Sequence, residues 1–155
     1  MAHLYLVRHA KAGERRLWND DDVDRPLSKK GWKQSELIGK RLAKLEPTEL
    51  VSSPYVRCIQ TLEPLASMID GRVAIEQRLC EDEPFEPVLD LLRELPNRSV
   101  MCTHGDIIPA TIQALGRRGM KMNTPPDWRK SAVWVLKRNK KDDIVQATVW
   151  PPPVV

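Results

Sequence analysis

Short apolar runs alternate along this chain with longer stretches in which aliphatic residues recur every three to four positions. His3 to Val7, Glu49 to Ser52, Arg72 to Glu76 and Ser99 to Thr103 are bounded runs of strand type. Between them lie helix signals. Ser28 is placed as an N-cap, Leu37, Ile38, Leu42 and Leu45 mark an apolar face, and Pro47 is a stop. Ser53-Pro54 opens a second helix, in which Pro64 is expected to kink or weaken one turn. Pro84 to Leu95 predicts a third helix, with Val88, Leu91, Leu92 and Leu95 inward. Ile107 to Leu115 predicts a fourth, with Pro109 tolerated in its first turn. Lys11 to Arg25 and Gly116 to Trp128 read as loops. Ala132 to Leu136 and Ile144 to Val149 flank Lys140-Lys141-Asp142-Asp143 and predict a β-hairpin. Strands alternating with helices predict an α/β fold, a three-layer α/β/α sandwich with a mostly parallel central sheet. No repeat or linker divides residues 1–155, so one domain is expected, able to bury roughly 70% of its unfolded surface.

Other classes are excluded on composition. No run approaches the ~20 apolar residues of a membrane helix, and Met1 to Arg8 lacks the pattern of a signal peptide. Cys58, Cys80 and Cys102 form no CxxC pair. Their odd number argues for reduced thiols, and so for a cytoplasmic setting, over a disulfide framework or zinc site. Net charge is only +4, with Lys29, Lys30, Lys33, Lys40, Arg41 and Lys44 read as a solvated helix face. No motif points to a nucleic-acid or membrane partner, no ligand cluster points to a metal or other cofactor, and oligomeric state is not legible.

In open α/β sheets the functional crevice lies beyond the carboxyl ends of the strands. His9 follows the first strand and His104 the fourth, while Ser52-Ser53 ends the second and places Arg57 one turn into the next helix. The pattern sends two histidines and two arginines to one edge. Arg8 and Arg57 offer forked hydrogen bonds to phosphate oxygens. His104 and the helix start at Gly105-Asp106 add donors. His9 is left free to attack phosphorus, and must be neutral to do so. Leu79-Cys80-Glu81-Asp82-Glu83 brings three carboxyls to the same edge. One of them, its pKa raised by like charges, is expected to protonate the leaving oxygen. Arg15, Trp18 and Arg25, and Trp128 and Arg129, either touch the substrate or pack on the surface. His3, inside a strand, reads as structural.

Val7-Arg8-His9-Ala10 resembles the Arg-His-Gly signature of the histidine phosphatase (phosphoglycerate mutase-like) superfamily. Four further blocks fall in that family's order: Arg25 to Gly31, Ser52 to Thr61, Leu79-Cys80-Glu81, and Thr103-His104-Gly105. The resemblance implies a phosphoglycerate mutase-like fold, with His9 as nucleophile and Arg8, Arg57 and His104 as the phosphate pocket. It implies Glu81 as proton donor, with Asp82 and Glu83 as neighbouring alternatives. No metal or other cofactor is implied. Ala10 replaces the usual glycine; if that position needs φ > 0, strain of roughly 1 kcal/mol follows. No long insertion forms a lid between Arg57 and His104. This is similar to the short SixA-like phosphohistidine phosphatase branch and to phosphatase-like domains joined to Nudix hydrolases. The expected substrate is a phosphorylated small molecule, a nucleotide di- or triphosphate, or a phosphohistidine protein. A catalytically inactive phospho-ligand binder is the alternative of a different kind.

Overall fold

The apolar run after Met1 forms β1 (Ala2–Arg8) in the computed structural model, which describes residues 1–155. Its side chains alternate across the sheet, as a period of two requires: Leu4 and Leu6 enter one core, Tyr5 and Val7 the other. Both faces of the strand are therefore buried, which is why it reads as a continuous apolar run.

Two helices cover the Tyr5–Val7 face, α1 (Lys29–Ala43) and α2 (Val56–Met68). The other face is covered by α3 (Glu86–Glu94) and α4 (Ile107–Arg117). The remaining strands are β2 (Leu50–Ser52), β3 (Val73–Ile75), β4 (Val100–Thr103), β5 (Lys121–Met122), β6 (Val133–Arg138) and β7 (Ile144–Trp150). They form one seven-stranded sheet in the order β3-β2-β4-β1-β6-β7-β5. Only β6 opposes the common direction, pairing antiparallel with β1 and β7. The sandwich with a mostly parallel sheet is thus present, as is the hairpin of β6 and β7.

Several local expectations change. The buried side of α1 consists of Gly31, Gln34, Ser35, Ile38, Gly39 and Leu42, while Leu37 and Leu45 are exposed. The helix is rotated toward its small and polar residues because it packs close to α2. A Cβ on Gly39 would stand 3.1 Å from the Leu65 backbone nitrogen. Pro64 sits inside α2, as expected, and the helix runs on to Met68. That helix begins at Val56, one turn beyond Ser53-Pro54, leaving those two residues for the site. The segment after His9 is not wholly irregular: Arg15–Leu17 and Asp22–Asp24 are single 3-10 turns.

β1, β4, β2 and β3 all end at one edge. The register puts Arg8 beside Thr103 and Ser52 beside Cys102, so the residues that follow each strand emerge together. No helix is long and apolar enough to cross a membrane.

Candidate active site

His9 leaves β1 at this edge and His104 leaves β4 beside it. Their ring centroids are 5.5 Å apart, edge to face at 64°. The His9 backbone N–H donates to the Thr103 carbonyl, which extends the sheet pairing by one residue and fixes the separation.

The tautomer of His9 follows from its partner. Nδ1 lies 2.8 Å from the Ala10 carbonyl oxygen, an acceptor only, so Nδ1 carries the proton and Nε2 keeps its lone pair. The imidazole pKa is pushed down to about 3, chiefly by burial; His104, Arg57 and Arg8 add to the shift and the Ala10 bond opposes it. The ring is neutral at ordinary pH. Ala10 is not among the residues with positive φ, so the expected strain is absent. Its N–H donates to Thr61 Oγ1 at 2.9 Å, which secures the residue next to His9.

The α2 block is explained residue by residue. Ser53 Oγ lies 2.8 Å from His104 Nε2. Arg57 reaches the site from the first turn. Gln60 Oε1 accepts the Leu27 N–H at 2.8 Å, and Thr61 holds Ala10. Arg57 is 1% exposed, and its Nη2 is 3.3 Å from both Glu81 oxygens and 3.2 Å from Asp22 Oδ2. Glu81 Oε1 is also 3.8 Å from His104 Nδ1 and 3.9 Å from Arg15.

Arg8 donates from Nη1 to the Trp128 carbonyl, and its buried Nε has no partner. Its guanidinium lies directly against Gly105, where a Cβ would fall 2.7 Å from Cζ. The second His-Gly element therefore needs glycine for close approach, not for an unusual φ.

These groups frame a cleft of about 500 Å³. Six basic side chains line it: Arg8, Lys11, Arg15, Arg25, Arg57 and Lys130. Glu14, Glu81, Asp82 and Asp106 are its carboxylates. His9 lines the cleft, whereas His104 is fully buried behind it and does not. Of the three neighbouring acids Glu81 and Asp82 reach the cleft and Glu83 does not. Asp82, with φ 64°, donates its N–H to Asp106. Among the loop residues left open, Arg15 and Arg25 line the cleft. Trp18 instead donates to the Asp21 carbonyl, and Trp128 stacks on Trp134 with centroids 5.0 Å apart. No three His, Cys, Asp or Glu side chains converge as metal ligands.

Sequence reading missed Lys11, Asp22 and Lys130. Asp22 accepts from both Arg57 and Arg25, and no apolar period marks such a residue. It also missed Gln34, whose Oε1 accepts the Lys11 N–H and the Ser131 hydroxyl.

The model of the histidine phosphatase superfamily (branch 1) matches residues 4–83, just over half of the 155. The chain belongs to this superfamily. An 8-oxo-(d)GTP phosphatase of Mycolicibacterium smegmatis is 33% identical over 156 residues, which cover 97% of this chain and 48% of that protein. The chain thus spans about half the length of that relative. Two solved structures share the fold at 22% identity. The phosphohistidine phosphatase SixA complexed with tungstate superimposes with a TM-score of 0.74, covering 96% of this chain and 94% of that one. A putative SixA from Agrobacterium tumefaciens gives 0.73, covering 88% and 92%.

Proposed function

We propose that residues 1–155 act as one histidine phosphatase domain that hydrolyses a phosphorylated substrate through a phosphohistidine formed on His9. One observation carries this reading: a neutral imidazole, with Nδ1–H held by the Ala10 carbonyl, lines a cleft with six cationic side chains.

Arg8 and Arg57 grip the non-bridging oxygens of the substrate phosphate, and Lys11 and Lys130 add charge. His9 Nε2 attacks phosphorus, a P–N bond forms, and the bond to the leaving oxygen breaks. Glu81 in its protonated form gives that oxygen a proton. Water then attacks the phosphohistidine, loses a proton to Glu81, and releases orthophosphate with His9 neutral again. His104, out of the cleft, backs the His9 ring and faces Glu81; it is assigned here to the placement of both. It is also carried over from the family as a phosphate donor, a role open to it if Ser53 yields Nε2.

No step calls for a metal. The three unpaired thiols, Cys58, Cys80 and Cys102, suit a reducing cytoplasmic setting. The substrate is drawn from phosphorylated small molecules, nucleotides and phosphohistidine proteins, the last two suggested by the names of the relatives, and not from nucleic acids or membranes.

Turnover of an aryl phosphate, quenched in alkali, is expected to trap an acid-labile phosphoryl group on His9. His9→Ala is expected to lower kcat by at least about 1,000-fold. Full hydrolysis by that variant would refute the proposal, since no second nucleophile is assigned.

A further inference from the structure

A second hollow, of about 530 Å³, adjoins the His9 cleft, and Arg8, Lys11 and Lys130 line both. It adds Lys30 and Gln34 from α1 and Arg129 from the segment before β6, while Pro152 to Val155 close the far side. Its electrostatics differ from the first. No Asp or Glu side chain lines it, whereas four carboxylates line the His9 cleft. Arg8, Lys11, Lys30 and Lys130 make no ion pair anywhere in the protein; only Arg129 has one, with Asp127.

Gln34 adds an oriented amide. Its residue is 7% exposed, and Oε1 is taken by the Lys11 N–H and the Ser131 hydroxyl. The carboxamide is thereby fixed with oxygen toward Lys11, and no hydrogen bond from Nε2 is formed. Nε2 is not closed off from solvent and is free to donate to a ligand in the hollow that Gln34 lines. The Lys130 ammonium is pushed down by burial and by the surrounding cations Arg8, Arg25, Lys11 and Arg57, a crowding that a bound anion relieves.

We infer that the substrate is an organic di- or triphosphate. Its terminal phosphate occupies the His9 cleft, and the phosphate linked to it sits in the second hollow on Lys30, Gln34 and Arg129, with Lys11 and Lys130 between. This rests on the phosphatase reading above and narrows its substrate class. In the corresponding step His9 Nε2 attacks the terminal phosphorus and the P–O bond to the bridging oxygen breaks. The electron pair stays on that oxygen, now part of the shortened phosphate, where the second hollow's cations receive it. Water then releases orthophosphate from His9.

The test is calorimetric titration of orthophosphate and pyrophosphate into the wild type and into Lys30→Glu/Arg129→Glu, both changed residues lining only the second hollow. Kinetics of p-nitrophenyl phosphate and a nucleoside diphosphate are measured in parallel. Pyrophosphate is expected to bind the wild type about ten-fold tighter than orthophosphate, since a second phosphate gains charge-assisted bonds. The variant is expected to cut that ratio below about three-fold and to raise KM for the diphosphate by a similar factor. Its orthophosphate affinity and p-nitrophenyl phosphate turnover stay unchanged. Equal binding of the two anions by the wild type overturns the inference, as does a ratio that survives the double substitution. Failure of the phosphatase reading is seen separately, as His9→Ala retaining hydrolysis, because the binding ratio needs no turnover.

Discussion

At the scale of single residues, the site depends on two kinds of contact: a proton held in place and a close approach. His9 is kept neutral chiefly by burial, and the sign of its effect on stability follows. An unfolded histidine titrates near 6.5, the folded one near 3, so in this window the unfolded chain binds a proton that the native protein does not. The full contribution is present above about 6.5 and is lost as pH falls toward 3. Urea unfolding at pH 7 and 4.5 should show the wild type losing about 2 kcal/mol more than His9→Asn over that interval. In the same range kcat/KM should show no acid limb from His9. Gly105 is the close approach. Gly105→Ala puts a methyl group 2.7 Å from the Arg8 guanidinium, which must swing away. Steady-state kinetics should show kcat/KM down by about ten-fold or more, with the melting temperature shifted by only a few degrees.

At the scale of elements, the start of α1 docks the loop that follows His9. Ser28 caps the helix by accepting the Gly31 N–H at 3.1 Å, and its own N–H and hydroxyl both donate to the Lys11 carbonyl. Gly31 makes room for that carbonyl, since a Cβ there would fall 1.9 Å from it. Ser28→Ala should cost about 1 kcal/mol by chemical denaturation. Gly31→Ala should cost about 3 kcal/mol, because backbone must move, and should lose most activity as Lys11 is displaced. Much of this was legible: Ser28 as N-cap, Arg25 to Gly31 as a block, and the strand ends carrying His9 and His104. Which face of α1 is buried was not. Apolar periodicity selects Leu37 and Leu45, but Gly31, Gly39 and Gln34 decide the rotation through backbone approach and hydrogen bonding, and hydropathy does not register either.

Across the whole molecule, stability and chemistry are held at opposite ends of the sheet. Arg138 pairs with Ala2, at the end of β1 away from His9, and lies 8% exposed. Its Nη1 donates to the carbonyls of Leu92 at 2.8 Å and Leu95 at 2.6 Å, tying β6 to the C-terminal end of α3. Arg138→Leu should lower stability by about 2–3 kcal/mol, through unpaired carbonyls, and leave kcat and KM unchanged below the melting transition. The sequence by itself determined the α/β/α class, the strand–helix order and the edge at which Arg8, His9, Arg57, Glu81 and His104 gather. Those follow from local periodicity and from the rule that parallel strands share their carboxyl ends. Only the tertiary structure decided that His104 lies behind His9, that Glu81 and not Glu83 faces Arg57, and that Asp22, Lys11, Gln34 and Lys130 join the site. Each of these is set by a contact between residues distant along the chain, through hydrogen bonds and charge, which leave no period in the sequence to read.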